Sequence, residues 1–207
     1  MGGTAVDGHT GRFSLVANGP LEFPTAGASI AGDRWLLSYN PISKKTAFRI
    51  NLTVTSQGRY GGFQDVEHDP QGNVFVVGSF PGTLTKVSRD GKSVMPWYLP
   101  REIVPKNKGI SGIAAVGWTL LAYGEASGEL WKFDMRAKKG VPVVVPVIKR
   151  SHSLAPSDAI YLPPKYGGKV LLVAESMVGV SVFRSRDLRS DGAEFLGTVW
   201  LPPVSIL

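Results

Sequence analysis

Gln64-Asp65-Val66-Glu67-His68-Asp69-Pro70-Gln71-Gly72-Asn73-Val74-Phe75-Val76-Val77-Gly78 reads as a strand, a polar turn and a second, more apolar strand. Asp69-Pro70-Gln71-Gly72 carries the turn, because proline presets φ and glycine accepts a positive φ. Val74 to Val77 is too short for a core helix, and its β-branched and aromatic residues suit a pleated surface. The unit then returns twice. Val66 is answered by Ile113 and by Ile160, each 47 residues further on. The residues after the second strand recur too: Gly82-Thr83-Leu84-Thr85-Lys86-Val87 lines up with Gly128-Glu129-Leu130-Trp131-Lys132-Phe133, and more loosely with Val178-Gly179-Val180-Ser181-Val182-Phe183. A strand-only repeat of roughly 40–50 residues predicts an all-β fold, a β-propeller of four-stranded antiparallel blades. A generic β-sandwich explains the strands but not the register.

Outward from that unit, the chain divides into stretches of about 3–22, 27–56, 63–99, 110–148 and 157–201, each expected to be a blade or part of one. Thr4-Ala5-Val6-Asp7 and Arg12 to Asn18 form a first strand pair turning at Gly8-His9-Thr10-Gly11, and Pro20 to Ala26 is a turn-rich connector. Ser29-Ile30-Ala31, Trp35 to Tyr39, Ala47 to Ile50 and Leu52-Thr53-Val54 read as the strands of a second blade. Pro100 to Gly109 and Lys149 to Pro156 are polar links. This gives four to five blades in one domain, the expectation being part of a larger ring with unpaired strand edges at the opening, and the alternative a degenerate first blade.

Composition sets broader bounds. The 207 residues hold 23 Lys and Arg against 16 Asp and Glu, a net charge of +7, which favours acidic partners without naming one. Cysteine is absent, so neither a disulfide framework nor a thiolate metal site is available. Met1 to Val6 shows neither the basic nor the apolar region of a signal peptide, and no run reaches the ~18 apolar residues of a membrane-spanning helix. Asn51-Leu52-Thr53 is an N-glycosylation sequon, relevant to a secreted chain.

Several stretches carry a family resemblance. They are Gln64 to Gly78, followed by Phe80-Pro81-Gly82 and Trp97-Tyr98-Leu99-Pro100; then Ser111 to Ala115, Phe133-Asp134-Met135 with Lys139-Gly140, and Ser157-Asp158-Ala159-Ile160-Tyr161-Leu162-Pro163-Pro164-Lys165-Tyr166. These resemble the accessory proteins encoded in fungal trichothecene mycotoxin gene clusters and the related Malassezia propeller allergen. The match covers roughly Tyr60 to Val199 well and the first 59 residues weakly. The resemblance implies a six-bladed propeller distantly similar to gluconolactonases. It also implies secretion and a part in virulence or secondary metabolism, with a lipid-like ligand in the allergen branch. The visible N-terminus does not carry the secretion signal, which leaves a cytoplasmic protein as the alternative.

The repeat register names a site. Antiparallel connectivity sends the start of each first strand and the end of each second strand to one face, at the channel mouth. First-strand entries are Thr4, Gln64, Ser111 and Asp158; second-strand exits are Asn18, Ser79, Glu125 and Glu175. All are polar beside apolar strands, so they are the expected ligand-binding residues, for a small apolar or lipid-like molecule and no catalysis. The alternatives are a protein-interaction scaffold and a calcium-dependent lactonase-type hydrolase, the latter placing Ca²⁺ on Asp158, Glu175 and Asn18. Its relatives have an asparagine where this chain has Ser111, a poor ligand for a cation that takes 6–8 oxygens. His9, His68 and His152 share no repeat position and make no zinc set, and no Ser–His–Asp arrangement or phosphate loop is visible. The turns between third and fourth strands are basic: Arg89 and Lys92, then Arg136, Lys138 and Lys139, then Arg184, Arg186 and Arg189. They are expected on the face opposite the mouth, suited to an anionic membrane surface. Nucleic acid is not expected, because no aromatics are interleaved for base stacking.

Overall fold

The computed structural model describes residues 2–148, 152, 154, 156–185 and 192–200. The founding hairpin is β5 (Gly61–His68) and β6 (Val74–Phe80), joined at the expected turn. Buried Asp69 organises that turn: its Oδ1 accepts the Gln71 and Asn73 amides, both at 2.9 Å, while Gly72 takes φ +81°. With β7 (Thr83–Val87) and β8 (Val94–Tyr98) it forms an antiparallel sheet in the order β5-β6-β7-β8. The next sheet repeats this with β9 (Ile110–Val116), β10 (Thr119–Gly124), β11 (Glu129–Asp134) and β12 (Val143–Val145). The last described sheet has β14 (Ser157–Tyr161), β15 (Val170–Glu175), β16 (Gly179–Arg184) and β17 (Ala193–Val199). Its outer edge is extended by β13 (Val147–Ile148), which pairs in parallel with β17.

The first part of the chain corrects the division at 3–22 and 27–56. β1 (Thr4–Val6), β2 (Phe13–Ala17), β3 (Trp35–Asn40) and β4 (Lys45–Asn51) make one sheet, with Leu15 opposite Leu37 and Leu36 opposite Ile50. The two stretches are therefore one blade interrupted by a loop from Asn18 to Arg34. Inside that loop Ser29-Ile30-Ala31 is not a strand. What holds it is an ion pair with both side chains fully buried: Glu22 Oε1 accepts from Arg34 Nε, and Glu22 Oε2 accepts the Gly62 amide at 2.8 Å. Leu52-Thr53-Val54 is likewise no strand but part of the short helix α1 (Leu52–Ser56). The Asn51 side chain caps it, accepting from Thr53 and Val54 N–H, which stops β4 and turns the chain.

Among the described residues four blades thus fan out from inner strands β1, β5, β9 and β14, which pack on one another in that order. Val66, Ile113 and Ile160, the residues that set the register, are all buried on these strands. The apolar core is divided into three slabs, each lying between neighbouring blades. Val16 and Leu36 meet Phe63, Val66 and Val76; Phe75 and Trp97 meet Ile113 and Phe133; Leu121 and Tyr123 meet Ile160 and Phe183. Trp97 is fully buried, with Phe75 edge-on at 4.9 Å and its indole N–H donating to Ala137 O at 2.9 Å.

Candidate functional site

At the mouth the inner strands meet through one amide. Gln64 Nε2 donates to Ser111 O and, at 3.4 Å, to Asp158 O, so a single side chain from β5 spans β9 and β14. Asn18, just after β2, donates its Nδ2 to Phe63 O and ties the first blade to the second. The fold therefore brings together five residues of the expected ring: Asn18, Gln64, Ser111, Glu125 and Asp158. The last two are joined by Lys108, whose ammonium lies 2.8 Å from Glu125 Oε2 and 3.7 Å from Asp158 Oδ1. Asp158 is otherwise open to solvent, its side chain 78% exposed.

The remaining ring positions behave differently. Ser79 and Ser111 are fully buried and their hydroxyls have no protein partner. Thr4 is exposed on β1, at the edge of the arc. Glu175 binds His152, with Oε1 2.8 Å from Nε2, and that imidazole stacks on Phe195 at 4.0 Å between centroids. Tyr123 sits close to both Glu125 and Glu175: burial first, then those two charges, push its phenol up to about 12. Lys108, His152 and Tyr123 are the mouth residues that the repeat could not name, since Lys108 and His152 lie in links and Tyr123 reads as an ordinary core aromatic.

Below the rim two carboxylates line the inner strand. Asp65 Oδ1 accepts the Val66 amide and Oδ2 the Ile113 amide of the neighbouring blade, each at 2.9 Å. Glu67 accepts the His68 amide at 3.3 Å and also the Ala115 amide. These acceptors satisfy N–H groups on the free inner edge of β9, which no strand covers among the described residues. Burial raises Asp65 to about 6, and burial together with the Asp65 charge raises Glu67 to about 7.

Two serine–histidine contacts also appear, Ser14 Oγ to His68 Nε2 at 2.9 Å and Ser181 Oγ to His152 Nε2 at 3.4 Å. Both serines are fully buried. In the second case Glu175 meets the same imidazole nitrogen as the serine, so the relay order of a hydrolase triad is not present.

Of the expected calcium donors, Asn18 donates its Nδ2 to Phe63 O and keeps its Oδ1 without a protein partner, Glu175 meets His152, and Asp158 Oδ1 lies 3.7 Å from the Lys108 ammonium. Among the described residues no three His, Asp or Glu side chains gather to hold a metal.

The opposite face carries the basic hairpin ends. Arg136 forms a two-pronged pair with Asp134, Lys92 lies 3.8 Å from Asp90, and Arg184 lies 2.9 Å from Glu194. Much of the charge there is thus locally balanced. For Arg89, Lys138 and Lys139 no ion pair is seen among the described residues. Arg186 and Arg189 lie outside the described residues.

Four-stranded antiparallel sheets radiating from a polar mouth define a β-propeller. Sequence likeness places it more narrowly: the chain is homologous to trichothecene cluster protein 14. It is 32% identical over 192 residues to trichothecene biosynthesis protein 14 of Trichoderma arundinaceum, covering 89% of this chain and 52% of that protein. It is 29% identical over 198 residues to core trichothecene cluster protein 14 of Fusarium sporotrichioides, covering 91% and 51%. The chain spans about half the length of these curated relatives. Among solved structures, the major Malassezia sympodialis allergen Mala s 1 superposes with a TM-score of 0.77 at 24% identity, over 94% of this chain and 62% of that one. No family model matches the sequence. These likenesses agree with the β-propeller fold and relate the chain to those fungal proteins.

Proposed function

We propose that this propeller is a non-catalytic binding protein that takes a small, largely apolar or lipid-like molecule, bearing one polar end, at the channel mouth. The observation that carries this reading is the composition of the mouth face. A polar centre of Lys108, Glu125 and Asp158 shares its face, by strand direction, with the exposed apolar side chains Leu21, Phe23, Val104, Met177 and Trp200. Met177 is 98% exposed and Trp200 70%, an arrangement a soluble surface does not need. An apolar body on that rim and a hydroxyl or carboxylate on Lys108 would use both parts of the site. One relative is named for trichothecene biosynthesis and the other for the core trichothecene cluster, and a largely apolar ligand is in keeping with that setting.

Calorimetric titration with farnesol and with dodecanoate tests the proposal. Saturable binding of either is expected, weakened about tenfold, or ~1.4 kcal/mol, by Lys108→Met and by Trp200→Ala. Neither calcium nor a chelator should change it, and aryl esters and lactones should not be turned over. Binding that survives both substitutions unchanged would remove the mouth from the account. Hydrolysis lost on Asp158→Ala would replace it with the enzyme reading.

A further inference from the structure

On the face opposite the mouth, the β1–β2, β5–β6 and β7–β8 turns come together beside the start of β4. There the first and second blades border a groove of about 580 Å³. Arg12, Ala47 and Phe48 line it from the first blade, and Asn73, Arg89 and Asp90 from the second. The volume falls within the roughly 300–1,000 Å³ of small-molecule sites.

The groove is held in shape by contacts across the two blades. Arg89 is fixed at both backbone groups: its N–H donates to Asn73 Oδ1 at 3.2 Å, and its carbonyl accepts from Arg12 Nη1 at 3.3 Å. Asn73 is anchored in turn, its Nδ2 donating to buried Asp69 Oδ2 at 2.8 Å. Phe48 packs so tightly on the second blade's turn that a Cβ at Gly91 would come 2.6 Å from its Cγ. The charges are less settled than the backbone. Among the described residues neither Arg12 nor Arg89 has a carboxylate partner, whereas Arg136 and Arg184, from the later blades, pair with Asp134 and Glu194. The one carboxylate bordering the groove, Asp90, is already engaged. Its Oδ1 accepts from Ser88 Oγ at 2.6 Å and the Lys92 amide at 3.1 Å, and its Oδ2 lies 3.8 Å from the Lys92 ammonium. Two unneutralised guanidiniums, one from each blade, thus flank a groove with an apolar wall.

We propose that this groove binds a phosphate monoester of a small organic molecule, the phosphate between Arg12 and Arg89 and the carbon skeleton on Ala47 and Phe48. An anion there meets donors from two directions, which suits a tetrahedral phosphate better than a planar carboxylate that one guanidinium satisfies. Calorimetric titration with phenyl phosphate at low salt is the test, with the folding of each variant checked by circular dichroism. Saturable binding is expected, weakened about tenfold by Arg12→Gln and by Arg89→Gln, with Arg89→Lys in between. Asp90→Asn, which removes the nearby negative charge, should tighten binding about threefold. Arg49→Gln is the control, because that guanidinium lies over Trp35 at 3.8 Å; it and the mouth variant Lys108→Met should leave the affinity unchanged. Benzoate should bind at least about tenfold more weakly than phenyl phosphate. No saturable binding by wild type, binding that survives Arg89→Gln unchanged, or equal affinity for benzoate would each overturn the proposal. So would wild-type protein that ignores phenyl phosphate but binds phosphatidylserine vesicles, since the arginines would then be part of a diffuse basic face.

Discussion

The Glu22–Arg34 pair gives the sharpest test of how the first blade is held. Both side chains are fully buried, and Glu22 also accepts the Gly62 amide of the second blade. Glu22→Ala leaves a guanidinium in an apolar setting with its Nη2 already lacking a partner, and it orphans the Gly62 N–H. Removing one member of a buried pair costs about 3–5 kcal/mol, well above the ~1 kcal/mol ceiling of an exposed pair. For a chain of 207 residues that corresponds to a fall in Tm of about 10 °C. Urea unfolding followed by tryptophan fluorescence measures it. The double variant Glu22→Leu with Arg34→Met should recover most of the loss, since it removes both charges and keeps their volume. A single-variant cost below ~1 kcal/mol would mean that the pair is not sequestered and that the loop is held by other contacts.

Three further outcomes rest on contacts of the same kind. Asp65 and Glu67 have pKa values in the folded chain, about 6 and about 7, above their ordinary 3.8 and 4.5. Their contribution is therefore fully present below about pH 4 and is lost as pH rises through 6 to 7. Glu67→Gln should gain about 2–3 kcal/mol over wild type at pH 8 and nothing at pH 4, and an equal difference at both pH values would show the carboxylate to be solvated. Asn51→Ala should lose ~1 kcal/mol by uncapping α1, while Asn51→Asp keeps the cap acceptor but meets the Asp33 carboxylate in place of donating to it, so that in chemical denaturation Asn51→Asp with Asp33→Asn is more stable than Asn51→Asp alone. Ser111→Ala removes a buried hydroxyl with no protein partner and should leave the unfolding free energy unchanged or raise it by up to ~1 kcal/mol; a clear loss would reveal a bond to that oxygen.

Much of the fold was legible in the sequence because backbone geometry is what a strand repeat encodes. The Asp69 turn follows from its proline and glycine, while the buried series Val66, Ile113 and Ile160 and the meeting of Gln64 with Ser111 and Asp158 follow the 47-residue spacing. The first blade was not legible, and the reason is physical. A loop closed by one ion pair between residues 22 and 34 has no periodicity, and Pro20, Pro24 and Gly27 read as a boundary between blades. Leu52-Thr53-Val54 has strand composition, yet a single capping side chain at Asn51 makes it helical.

The mouth separates what repetition can carry from what it cannot. Its eight ring positions are equivalent by register, but their side chains are in very different states. Gln64 is spent on two carbonyls, Ser79 and Ser111 are buried, Glu175 is held by His152, and Asp158 stands in solvent beside a lysine. The groups that make these differences, Lys108 and His152, come from the links between blades, where the repeat imposes nothing. The repeat thus delivers a set of polar positions to one opening, and the non-repeating links decide which remain open to solvent. Exchanging the link 100–109 should consequently change what the mouth accepts more than exchanging any one of the ring residues.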